Sequence, residues 1–111
     1  MRSNQIKTRL GKIIVCKTTD VQPGEMIKKT FDGLDILIAN IDGKYYATDD
    51  SCTHSGSSLS EGELNGCTIT CGWHKAEFDC TTGKLSKFPV KIRDLTSFDV
   101  SIESENVCIE M

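Results

Sequence analysis

At 111 residues the chain has room for one domain with an ordinary apolar core, and its 38% hydrophobic and 26% charged residues argue against disorder. The net charge of −3, with basic residues in short pieces such as Lys28-Lys29, gives no footing for a nucleic-acid partner. The longest apolar stretch, residues 34–41, is interrupted by Asp35 and Asn40 and is far too short for a helix that spans a bilayer, so no membrane role is expected.

Residues 1–5 are polar, with no apolar run of signal-peptide length behind them, and a cytoplasmic chain is expected. In that setting the six cysteines suggest metal binding or buried thiols rather than a disulfide framework. Residues 11–17 read as a strand rich in β-branched side chains, and Pro23-Gly24 marks a turn. Residues 25–31 and 34–41 flank Asp32-Gly33, a dipeptide suited to a two-residue hairpin because both positions accept positive φ. Asp42-Gly43 repeats the device before residues 44–48, which completes a three-stranded meander.

The character changes over residues 49–83. Gly and Ser interrupt the chain, and four of the six cysteines and both histidines fall here. A loop-rich stretch of this kind needs something beyond apolar packing to fix its shape. Asn65-Gly66 predicts the turn of a small hairpin leading into 67–71, and Thr82-Gly83 predicts another turn. Past Pro89, strands are expected at 90–93, 98–102 and 107–109, closing the sheet begun by the first half. No helical period is present. The expected architecture is all-β in a single domain over 1–111. Its antiparallel base comprises 1–48 and 84–111, and a metal-rich lobe is inserted at about 49–83.

The residues that carry chemistry are Cys52-Thr53-His54 and, after sixteen intervening residues, Cys71-Gly72-Trp73-His74. Each group offers one thiolate and one imidazole, a donor set that suits zinc or an iron–sulfur centre. A single residue between Cys52 and His54 is tight for the usual zinc knuckle. Two irons needing two protein ligands each are well matched by two loops that each supply one sulfur and one nitrogen.

This pattern resembles the C-x-H…C-x-x-H signature of Rieske proteins. Leu59-Ser60-Glu61-Gly62 between the two groups, and Phe78-Asp79 with Thr82-Gly83 after the second, resemble the family's flanking sequence. The resemblance implies a β-sandwich-like base with a small cluster-binding subdomain. It also implies one 2Fe–2S cluster, with Cys52 and Cys71 on the inner iron and His54 and His74 on the outer iron. A cluster held by two imidazoles is easier to reduce than one held by four thiolates. The second ring proton of each histidine, held less tightly when the iron is oxidised, further implies a potential that falls as pH rises.

Respiratory Rieske proteins brace their loops with a disulfide whose positions here are Ser57 and Trp73, so that bond is impossible. They also carry hydroxyl donors at positions that here are Ala76 and Phe78. Donors to sulfur favour the reduced state, so the sequence predicts a potential near the low end of the Rieske range. It is similar to the ferredoxins that serve ring-hydroxylating oxygenases.

The remaining reactive residues have plainer readings. Cys16 and Cys108 lie in strand sequence and read as small buried hydrophobes. Cys67 reads as a packed thiol, and Cys80, in a turn, as partly exposed and oxidation-sensitive. Asp49-Asp50, Glu61 and Glu63 read as solvated loop charges, while Gly56, Leu59, Trp73 and Lys75 are expected to frame a docking surface. With both histidines in use, no second metal site can be assembled, which excludes a catalytic oxygenase subunit. The predicted function is a monomeric one-electron shuttle, not itself an enzyme, between a reductase and an oxygenase or other acceptor. A permanently docked redox subunit or sensor module of a larger enzyme is the alternative, and a structural zinc domain is a third reading.

Overall fold

The computed structural model of the protein describes residues 12–31, 33–52, 57–72, 75–88 and 92–110. Its strands, in chain order, are β1 (Lys12–Lys17), β2 (Met26–Phe31), β3 (Leu34–Ile41), β4 (Lys44–Asp49), β5 (Glu63–Asn65) and β6 (Thr68–Thr70). There follow β7 (Glu77–Asp79), β8 (Leu85–Lys87), β9 (Ser97–Glu103) and β10 (Asn106–Glu110). The only helical pieces among the described residues are single 3-10 turns at Thr18–Asp20 and Leu59–Glu61. Among the described residues no helix is long and apolar enough to cross a membrane.

Six strands form an antiparallel sheet in the order β1-β10-β9-β4-β3-β2, and four form a second sheet in the order β5-β6-β7-β8. The meander β2-β3-β4 is set by its turns. Ile41 pairs with Lys44 across Asp42 (φ 53°) and Gly43 (φ 92°), the doubly positive geometry of a two-residue hairpin. Phe31 pairs with Leu34 across residues 32 and 33, with Gly33 at φ 81°; Asp32 lies outside the described residues. Buried Asn40 locks this corner, its amide donating to the Val21 carbonyl at 2.8 Å and its Oδ1 accepting from Gly43 N at 2.8 Å.

Strand β3 sits between two cores. Ile36 and Ile38 point to one side and pack with Ile13, Val15, Phe31, Val107 and Ile109. Leu37 and Ala39 point to the other and pack with Cys52, Leu59, Ile69, Cys71 and Phe78. Alternation along a strand buried on both faces explains why 34–41 reads as a nearly continuous apolar run. Each fully buried Ile or Leu of β3 contributes about 1.5–3 kcal/mol relative to exposure. The edge strands β1 and β2 both feed the first core, so the large sheet curls over it as a sandwich-like base. The second core joins that base to the small sheet and carries the chemistry-bearing cysteines.

Two expectations shift. The small hairpin pairs Asn65 with Thr68, so its turn is Gly66-Cys67, one residue later than the sequence suggests. Of the strand expected at 90–93, Val90 and Lys91 lie outside the described residues, and Ile92 and Arg93 belong to no strand.

Candidate metal centre

Cys52 and Cys71 occupy equivalent places in two ladders. Ser51 bridges to Ser58, and one step further the Cys52 N–H donates to the Ser57 carbonyl at 2.9 Å. In the small sheet Thr70 pairs with Glu77, and one step further the Cys71 N–H donates to the Ala76 carbonyl at 2.8 Å. Each cysteine is thus anchored at the last rung of an antiparallel pair, five residues before its hydrogen-bond partner. Of the four expected ligands, the structure places these two. His54 and His74, which fall between the partners of the two bonds in sequence, lie outside the described residues, as do Gly56 and Trp73.

Both thiols are buried in the same apolar cluster, Cys52 at 3% and Cys71 at 1% exposure. The two ladders meet through Ser57, whose Oγ lies 3.1 Å from Cys71 Sγ. Gly62 completes the contact. A side chain there would overlap the Thr70 carbonyl oxygen and press on Gly72 N, so only glycine lets the two segments lie backbone to backbone. Beyond the second ladder, Lys75 holds a left-handed φ of 62°, a conformation uncommon outside glycine and frequent near functional sites.

Asp50 fixes the first segment. It is 1% exposed, against its reading as a solvated charge, and accepts hydrogen bonds from the Ser58 hydroxyl and from Ser60 N at 2.9 Å. Its own carbonyl takes the Leu59 N–H at 2.6 Å. A buried carboxylate survives because these donors replace its water. Asp49 also has a structural task, accepting from Thr96 N at 3.1 Å, whereas Glu61 and Glu63 are exposed as expected. Leu59 is fully buried, so it supports the site from beneath and cannot frame a docking surface, while Lys75 is exposed.

The other cysteines are all free thiols. Cys16 and Cys108 are buried as expected, and burial above all pushes both thiols up, Cys16 to about 11 with help from Asp20. Cys67 and Cys80 exchange the places expected of them. Cys67 stands exposed at the hairpin tip, and Cys80 is 1% exposed, with burial, then Cys67 and Asp79, pushing it to about 12. The one-residue displacement of the turn explains Cys67, because it leaves that residue in the turn itself, ahead of the first residue of β6.

Among the described residues no three His, Cys, Asp or Glu side chains gather as a metal site, the described part of the expected set being its two cysteines. Two buried thiols held at matched rungs of adjoining ladders, one already beside a hydroxyl, are a donor set that fits an iron–sulfur cluster.

Comparison with known proteins bears on the same region. Residues 11–99 match the family model of the Rieske [2Fe-2S] domain. The chain is similar to the ferredoxin component of biphenyl 2,3-dioxygenase from Rhodococcus jostii (strain RHA1), with 34% identity over 97 residues, covering 87% of this chain and 90% of that protein. Among solved structures it is similar to the Sphingomonas yanoikuyae B1 ferredoxin, with a TM-score of 0.84 and 32% identity, covering 90% of this chain and 98% of that one. It is also similar to a chain in the complex of reduced oxygenase and oxidized ferredoxin in carbazole 1,9a-dioxygenase, with a TM-score of 0.84 and 31% identity, covering 92% and 94% of the two chains.

Proposed function

The chain belongs to the Rieske [2Fe-2S] domain family, and on that premise we propose that it is a one-electron carrier, not itself an enzyme, that takes electrons from a reductase and delivers them to an oxygenase. The observation that carries this reading is the pair of buried cysteines at equivalent rungs of two adjoining ladders. The relatives support it: one is named a ferredoxin component of a dioxygenase, and another structure is titled as an oxygenase–ferredoxin complex. In this reading the protein is a cytoplasmic monomer, with 1–48 and 84–111 expected as its base and about 49–83 as its cluster-binding subdomain, to whose sheet β8 (Leu85–Lys87) adds a strand.

A bound 2Fe–2S cluster supplies a centre that gains and loses one electron without breaking a bond in the protein. Cys52 and Cys71 would hold it through thiols buried in the apolar cluster between the two sheets. His54 and His74 would complete the ligand set. Each cysteine would be held in place by the backbone hydrogen bond at the last rung of its ladder. Ala76 and Phe78, both buried, bring no hydroxyl to the cluster, which supports a potential toward the low end of the Rieske range of about −150 to +300 mV.

The test is reconstitution with a dioxygenase-type reductase and oxygenase. Protein prepared under iron-replete, anaerobic conditions should carry iron and acid-labile sulfide in equal amounts, be reduced by the reductase and be reoxidised by the oxygenase. A colourless protein with bound zinc contradicts the reading.

A further inference from the structure

Ser57 touches both cysteine segments. Its carbonyl accepts the Cys52 N–H at 2.9 Å, and its hydroxyl oxygen lies 3.1 Å from Cys71 Sγ. We propose that the Ser57 hydroxyl is a redox-tuning group: it donates a hydrogen bond to the Cys71 sulfur and raises the reduction potential above the value the same cluster would have without it. This rests on the reading of Cys71 as a cluster ligand.

The direction of the bond follows from the chemistry. Between a free thiol and a hydroxyl either atom can donate. Once Cys71 binds iron as a thiolate it has no proton left, so only the Ser57 O–H can supply one. The sulfur becomes more negative when the centre gains an electron, and a donor aimed at it is then held more tightly. That differential favours the reduced state.

The donor is also held in position. Ser57 is fixed on one side by the Cys52 hydrogen bond and the Ser51–Ser58 bridge. On the other side the Ser58 hydroxyl and Ser60 N are tied to buried Asp50. A hydroxyl on such a backbone has little freedom to lose when it binds sulfur, so the interaction needs no rearrangement on reduction. A small cleft is lined by Ser57, Ser58, Glu61 and Gly72.

The test compares the holo-protein with Ser57→Ala and Ser57→Thr by redox titration, following the electron paramagnetic resonance of the reduced form. Ser57→Ala should lower the reduced-to-oxidised ratio at a fixed potential about tenfold, a shift of ~59 mV to more negative potential for a one-electron couple. Ser57→Thr, which keeps the hydroxyl, should stay near wild type. A Ser57→Ala titration that overlays wild type overturns the proposal, as does a Ser57→Thr protein that shifts along with Ser57→Ala. Should Ser57→Ala assemble no cluster, the wild-type protein decides: iron–thiolate stretching bands for Cys71, assigned by selective sulfur labelling, must move in deuterated water, and bands that stay fixed overturn the bond. A wild-type protein without a Rieske signal removes the ligand reading itself, an outcome distinct from a normal signal with an unshifted Ser57→Ala potential.

Discussion

Gly62 lies against Thr70 so closely that a Cβ on the glycine would overlap the threonine carbonyl oxygen. The contact joins the segment after Cys52 to β6, the strand that leads into Cys71, so the approach of the two segments depends on a missing side chain. Gly62→Ala should destabilise the holo-protein by about 1–3 kcal/mol, the usual range for overpacking, and lower its iron content. Urea unfolding and iron analysis check this. Unchanged stability with full iron would show that the two segments can separate without cost.

Asp50 should be similarly sensitive. Asp50→Ala removes the acceptor that the Ser58 hydroxyl and Ser60 N share. A part-buried donor left without its acceptor costs about 1–3 kcal/mol, so thermal unfolding should occur at a lower temperature and cluster loss should be faster. An exposed carboxylate such as Glu63 serves as the control, and Glu63→Gln should leave both properties unchanged.

The thiols should divide sharply in reactivity. In the holo-protein at pH 8, one thiol should label rapidly with a disulfide reagent, and Cys67→Ser should abolish that phase. Cys67 is exposed, whereas Cys16, Cys80 and Cys108 are buried and their thiols are pushed up by that burial. Rapid labelling of Cys80 would contradict its placement under the small sheet.

The same thiols give stability a dependence on alkaline pH. An unfolded cysteine ionises near its ordinary value of 9.0, while Cys16 waits until about 11 and Cys80 until about 12. Below pH 9 both states are protonated and the thiols have no effect on the balance. Above it the unfolded state releases protons first, so stability should fall as pH rises from about 9 toward 12. Cys16→Ala and Cys80→Ala should each flatten that decline in urea titrations run at several pH values. An equally steep decline in both variants would refute the assignment.

Much of the architecture was legible because backbone geometry leaves it few alternatives. Asp42-Gly43 and Gly33 announce positive φ, and with them the meander and its register. The apolar run of β3 announced burial, although only the structure shows that its two faces serve two cores. The site was legible in its residue types, since Cys-x-His and Cys-x-x-His leave few other uses for those side chains. Its supports were not. Asp50 and Leu59 sit in a Ser-rich stretch with no period, so nothing local distinguishes a buried carboxylate from a solvated one. Ser57 was visible only as a place where no disulfide can form. Its approach to Cys71 depends on how two segments fourteen residues apart pack, which no local pattern encodes.

In the proposed function Cys52, His54, Cys71 and His74 together hold one two-iron cluster with mixed sulfur and nitrogen ligation. Electron paramagnetic resonance of the dithionite-reduced protein reads that ligation. The expected spectrum is the low-average-g rhombic signal of a two-iron centre with nitrogen ligands on one iron, abolished or converted in His54→Ala and His74→Ala. A signal of the all-cysteine ferredoxin type, or a wild-type signal retained in both histidine variants, would contradict it.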